Sequence, residues 1–217
     1  MTEILNSIKN LGYKIENKNN EIIIYSVDEN GYINDDIYFI IDSNNQLFKV
    51  ERNFKTLIGV NNSVETAILT VLFKLKSTTA KRIETQQIKD EFSKTTSLNE
   101  VKAIFTKIFG QTYVDNNIFL NEEVNGKNGF YINGNEEINI IYKQGNYYFL
   151  VASKSFEKRK ILFPKLVEFI YKKSQCDQEL RKLQTPVDDK TYIELLSNYS
   201  FGFTVAINEI EKKNKVK

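Results

Sequence analysis

The chain has 217 residues, 41% hydrophobic and 27% charged, with a formal net charge of +2. These are ordinary globular values that exclude wholesale disorder and the strongly basic signature of a dedicated DNA binder. Histidine is absent and Cys176 is the single cysteine, which excludes Ser-His-Asp and Cys-His nucleophile activation and most zinc sites.

The first predicted element is a helix over Thr2–Leu11, where Ile4, Leu5, Ile8 and Leu11 recur at helical spacing and Gly12 is placed to end it. Glu21–Val27 (EIIIYSV) reads as a β-branched strand, DENG as a turn, and a second strand centres on Ile37–Ile41. DSNNQ is a further turn and LFKVERNF a third strand. A helix then follows in which Asn62 and Glu65 have capping-box spacing and Val64, Ala67, Ile68, Val71, Leu72 and Leu75 share a face. Residues 1–77 thus read α-β-β-β-α. Residues 78–96 read as a connecting helix with Ile83, Ile88 and Phe92 on one side.

A second pass covers residues 97–174. Ser97 and Glu100 form a capping box, Val101, Ile104, Phe105 and Ile108 mark a buried face, and Gly110 is the stop. Strands are expected at Tyr113–Leu120, Ile138–Tyr142 and Tyr147–Ser153, with Asn-Gly and Gly-Asn turns between them. A helix around Pro164–Lys173 closes the unit. Gly12 pairs with Gly110, Ile37 with Ile138, Val50 with Val151 and Ser77 with Ser174, at offsets of 97 to 101 residues. Residues 175–217 read as a helical C-terminal extension that prolongs the last helix, restarts at Pro186 and ends as a helix. The expected fold is α+β: a tandem pseudo-repeat of an α-β-β-β-α unit with antiparallel sheets, plus that extension.

Several features bear on location and partners. No apolar run approaches the roughly 18 residues that span a bilayer. The start, MTEILNSIKNLGYK, lacks a basic region followed by an apolar one, so no signal peptide is expected. A lone cysteine agrees with a reducing compartment, and the expected address is the cytoplasm. Charge is uneven, with residues 1–77 at net −2 and residues 99–174 at net +3.

Three chemical readings of short motifs fail on their own residues. Asp28, Asn30, Gly31, Ile33 and Asn34 fit the middle of an EF-hand calcium loop, but Ser26 and Ile37 stand where the first and last ligands belong. Asp42 and Glu51 invite a metal-nuclease reading, yet Asn53 replaces the lysine two residues past Glu51. In the second unit Lys154 is present but Ala152 takes the acidic position. The phosphate-cradling glycine patterns are absent as well. No catalytic residue, metal or cofactor is therefore assigned.

The sharpest charge feature is SKSFEKRKILFPK, where Lys154, Lys158, Arg159, Lys160 and Lys165 interleave with Phe156 and Phe163. Such a cluster suits a nucleic-acid backbone or an acidic protein surface. Tyr147 and Tyr148 precede it on a strand that can present one of them as an interface anchor. Tyr147, Tyr148, Lys154, Lys158, Arg159 and Lys160 are the candidate partner-binding residues.

The α-β-β-β-α order resembles the core of type III secretion chaperone-like and related sensory-regulator folds. The histidine-free composition, rich in the Asn, Lys and Ile of AT-rich coding, is similar to that of immunity proteins of bacterial polymorphic toxin systems and of small phage-borne inhibitors. What these resemblances imply is a non-enzymatic protein-binding module, a stoichiometric inhibitor or immunity-type protein. The alternative is a nucleic-acid-binding or regulatory protein using the cluster from Lys154 to Lys165.

Overall fold

In a computed structural model, residues 2–28, 30–77, 85–124, 126–184, 186–201 and 206–210 are described. The protein is α+β, and its contacts group it into two units: residues 1–80 with 172–205, and residues 81–171 with 206–217. This grouping differs from the expected boundaries at 77, 96 and 174, because the C-terminal segment divides between both units.

Unit one begins with helix α1 (Thr2–Asn10), which buries Ile4 and Ile8 and ends at Gly12 with φ +83°. Five antiparallel strands follow in a simple meander: β1 (Tyr13–Lys18), β2 (Glu21–Val27), β3 (Ile33–Ile41), β4 (Gln46–Glu51) and β5 (Phe54–Val60). Two of them, β1 and β5, exceed the three expected. Both are joined to their neighbours by two-residue turns, Asn19-Asn20 and Arg52-Asn53, in which all four residues have positive φ. This is the tightest hairpin geometry, here built without glycine, so the usual Asn-Gly signal is missing.

The sheet curls. Lys55 on β5 reaches Glu21 on β2 at 3.6 Å, although three strand spacings separate them, about 15 Å in a flat sheet. Ile23, Ile40 and Val50 fill the enclosed face, with Tyr25, Tyr38 and Phe48 packed against them. The opposite face carries Ile24, Ile41 and Leu47, all buried, where α1, helix α2 (Val64–Ser77) and helix α7 (Asp189–Phe201) meet the strands. The N-terminal cap of α2 is Ser63, whose Oγ accepts from Thr66 N at 3.1 Å, and not the expected Asn62.

Residues 66–73 of α2 and 192–199 of α7 are buried without interruption. A helix covered on all sides needs protein partners for its polar groups, and on α7 Ser197 Oγ and Asn198 Oδ1 lack one among the described residues while the Asn198 amide nitrogen has two. Asn198 Nδ2 accordingly donates to Asn61 Oδ1 at 3.0 Å and to Val60 O at 3.3 Å. A Cβ at Gly59 would stand 3.2 Å from Asn198 Cγ, so this glycine makes room for the amide.

Glu194, only 7% exposed, accepts from Asn62 N at 3.3 Å. Burial raises its pKa above the ordinary carboxylate value, against the pull of the Asn62 N–H and Lys190. A raised carboxylate pKa gives stability that is complete below the unfolded-state value and is lost as pH rises through the folded one. Glu194→Gln should therefore melt higher than the wild type at neutral pH, by about 2–4 °C, the shift that roughly 1 kcal/mol produces in a chain of this size. That difference should close in acid. Thermal melts of both proteins across a pH series check it; the comparison cancels Lys74, whose amine burial and the nearby Lys172 and Lys49 push down to about 8.

Unit two contains helices α3 (Thr85–Ser93), α4 (Leu98–Phe109) and α5 (Gln111–Asn117), then strands β6 (Ile118–Leu120), β7 (Gly129–Asn133), β8 (Glu137–Gln144) and β9 (Tyr147–Ser155). Ile83 of the expected connecting helix lies outside the described residues. The expected strand at Tyr113–Leu120 is helical up to Asn117. Gln111 Nε2 bonds Asp115, and the amides of Asn116 and Asn117 bond Thr112 O and Tyr113 O, each four residues apart, so polar side chains support the extra turn. Strand β6 pairs in parallel with β7, a strand absent from the sequence reading because both its faces are buried and it shows no alternation. At Gly129 a Cβ would stand 2.6 Å from Asn117 O, so only glycine lets these backbones approach.

A single 3-10 turn (Phe156–Lys158) leads into helix α6 (Arg159–Lys182). This helix is longer than the expected Pro164–Lys173. Pro164 sits near its start, where the missing N–H removes one bond only. The first half of α6 belongs to unit two and the second to unit one. Strand β10 (Ile207–Glu209) pairs with β9, correcting the helix expected at the C-terminus; residues 211–217 lie outside the described residues.

The sheet order is β10-β9-β8-β7-β6. Both sheets contain a three-stranded antiparallel meander, β2-β3-β4 and β7-β8-β9, but their flanking strands differ. Ile37 is exposed where its paired position Ile138 is buried, so the pairing does not carry over to burial.

Candidate functional site

The predicted binding residues do not form one site. Tyr147 and Tyr148 are half-buried and paired with Glu209 and Asn208 of β10, which covers that stretch of β9. Lys154 lies exposed six residues beyond Tyr148, about 20 Å along the strand. Lys158 and Lys160 are exposed on the 3-10 turn and the first turn of α6. Arg159 turns inward: its Nη2 donates to Ser93 O at 3.0 Å, and its guanidinium lies 5.2 Å from the Phe156 ring centroid. The basic cluster keeps its lysines and gives its arginine to packing.

The acids are likewise engaged locally. Asp28 Oδ1 accepts from Asn30 N at 2.9 Å and Tyr32 N at 2.8 Å, closing the β2–β3 turn. Asp42 Oδ1 does the same for Asn44 N and Gln46 N. Ile37 pairs with Glu51 and Ile41 with Leu47, so Asp42 and Glu51 stand at opposite ends of one hairpin, about 16 Å apart. They cannot share a metal ion. Glu51 bonds Lys49 at 2.6 Å, which lowers its pKa. Among the described residues no three His, Cys, Asp or Glu side chains converge on a metal position. Cys176 is buried, and burial raises its thiol pKa far above the reactive range.

Among the described residues, the two most exposed large apolar side chains lie elsewhere, toward one end of the unit-one sheet. Phe54 is 79% exposed and Tyr32 73%, with Ile37 at 42% and Ile33 at 41%. The register sets Ile37 beside Phe54, with Ile33 and Tyr32 four and five residues, about 13 and 16 Å, further toward the β2–β3 turn. Ile37 pairs with Glu51 and Glu51 with Phe54, so the two apolar side chains flank Glu51 on one face. Ile33 pairs with Val27, and at the same end Tyr32 O accepts from Asp28 N at 3.0 Å while Tyr32 N donates to Asp28 Oδ1. Ile33, Ile37 and Phe54 sit on paired strands, and Tyr32 is bonded to Asp28 across the turn. The segment that holds Tyr32, Ile33 and Ile37, residues 26–42, has five acidic and no basic residues, whereas Phe54 lies between Arg52 and Lys55.

Sequence reading missed Phe54 and Tyr32 because each sits beside turn residues that look merely polar. The available signal was Phe54 itself, an aromatic directly after a two-residue turn and on the same face as Glu51.

No family model, no curated protein and no solved structure matches this chain. Among the described residues, no helix is long and apolar enough to cross a membrane.

Proposed function

We propose that this protein is a non-enzymatic protein-binding module, a stoichiometric inhibitor or immunity-type protein, and that it docks its partner through the end of the unit-one sheet. The observation that carries this reading is the exposure of Phe54 and Tyr32 on backbone held by strand pairing and by the bonds to Asp28. Aromatic rings presented this way are the side chains most often found as binding anchors, each with roughly 150–250 Å² to bury. Holding them on hairpin ends lowers the ordering entropy lost on association. The acidic segment around Tyr32 suits a partner with a basic rim and would speed encounter more than it adds affinity.

A tagged pull-down tests the reading, with nuclease treatment and with Phe54→Asp run in parallel. The expected result is one protein retained at near-equal stoichiometry by the wild type after nuclease and lost by the variant. Retention that disappears with nuclease, or that survives Phe54→Asp, would overturn it.

A further inference from the structure

Unit two contains a cleft of about 480 Å³ between the start of α4, the end of β6 and the 3-10 turn. Asn99, Asn121 and Asn135 line it with Ser97 and Thr96, and Leu120 and Phe156 supply apolar contact. No charged side chain belongs to this lining. Asn121 is held in place, because its Oδ1 accepts from Gly134 N at 3.1 Å. Asn99 and Asn135 are exposed, and their side chains hold no hydrogen bond among the described residues.

Phe156 is the best-supported member of the lining. Its N–H donates to Glu136 O at 2.7 Å. The Arg159 guanidinium stacks against its ring, and Phe163 meets it at 6.4 Å between centroids. The inward turn of Arg159 thus steadies an aromatic surface at the cleft. The segment that carries Phe156 also carries three exposed lysines, Lys154, Lys158 and Lys160.

We propose that this cleft takes the base of a nucleotide, stacked on Phe156, with the asparagine amides on its polar edge and its phosphate toward the lysines. Amides offer donor and acceptor together, which matches the edge of a base, and aromatic stacking tolerates any base. Glu136 and Glu157 adjoin Phe156 but are outnumbered there by Lys154, Lys158 and Lys160, whereas Glu100 and Glu122 follow Asn99 and Asn121. This orients the phosphate toward the lysine-bearing segment. A free nucleotide and a single strand present the same chemistry. The inference is independent of the docking surface in unit one, since the two use no common residue.

The test titrates the full-length chain with a fluorescent single strand of about ten nucleotides, and separately with a nucleoside monophosphate. Saturable binding that weakens with salt is expected. Phe156→Ala should weaken it by about tenfold or more. Because Phe156 also packs against Phe163, the paired variant Asn99→Ala/Asn135→Ala supplies a second arm: it should weaken binding several-fold with an unchanged melting temperature. Binding of the strand but not the monophosphate identifies single-stranded nucleic acid as the source of the base, and equal competition by the monophosphate identifies a free nucleotide. No saturable binding of either at low salt, or binding that these substitutions leave unchanged, would overturn the proposal.

Discussion

Phe163→Ala should destabilise the protein by about 3–5 kcal/mol, the range for truncating a fully buried phenylalanine. Phe163 is 0% exposed. Its ring lies 5.4 Å from Phe92, 6.1 Å from Phe105 and 6.4 Å from Phe156, so one side chain closes a cluster drawn from α3, α4 and the entry to α6. Removing it leaves a cavity walled by rigid rings, which relax less readily than aliphatic chains. Urea unfolding should show a lower midpoint with an unchanged slope. Lys165→Ala, two residues along and exposed, should stay within about 0.5 kcal/mol of the wild type. A loss below about 1 kcal/mol for Phe163→Ala would mean that the cluster is not packed as described.

The second large effect falls on binding and not on stability. Tyr32→Ala and Phe54→Ala should each weaken the complex with the captured protein by about thirtyfold, the approximate equivalent of a 2 kcal/mol anchor. Their side chains are mostly in water already, so melting should shift little. Isothermal titration together with melts of each variant separates the two effects. The lysine substitutions Lys158→Ala and Lys160→Ala serve as the comparison: on the docking proposed here they leave the affinity for that protein unchanged.

Legibility in the sequence followed physical cause. The helices α1, α2 and α4 were readable because one face of each repeats at helical spacing and Ser97 and Glu100 mark the start of α4. Ser97 Oγ does accept from Glu100 N, and Glu100 closes back on Thr96 N instead of Ser97. The central strands β2, β3, β8 and β9 were readable from β-branched and aromatic runs between turns.

Strand β1 was not, since YKIENK is mostly polar, and β5 was not, since the glycine-free Arg52-Asn53 turn let LFKVERNF read as one strand. Strand β7, buried on both faces, has no alternation to find. The all-round burial of α7 erases helical periodicity, and the C-terminal strand β10 exists only through pairing with β9, a long-range contact that local sequence does not announce.

The same causes governed the binding surfaces. Lys154, Lys158 and Lys160 are exposed around Phe156, but the orientation of Arg159 depends on Ser93, which is 66 residues away. Tyr147 and Tyr148 looked available until a distant strand paired beside them. Phe54 was hidden because its exposure follows from a turn whose geometry asparagine and arginine supply without a characteristic motif.

Hydrogen exchange of the chain, free and bound to its retained partner, tests the docking surface most directly. Protection on binding is predicted at the backbone amides of Tyr32–Ile37 and Glu51–Phe54, with Lys154–Lys160 unchanged. Protection confined to β9 and Lys154–Lys160, with the end of the unit-one sheet exchanging as in the free protein, would contradict the account.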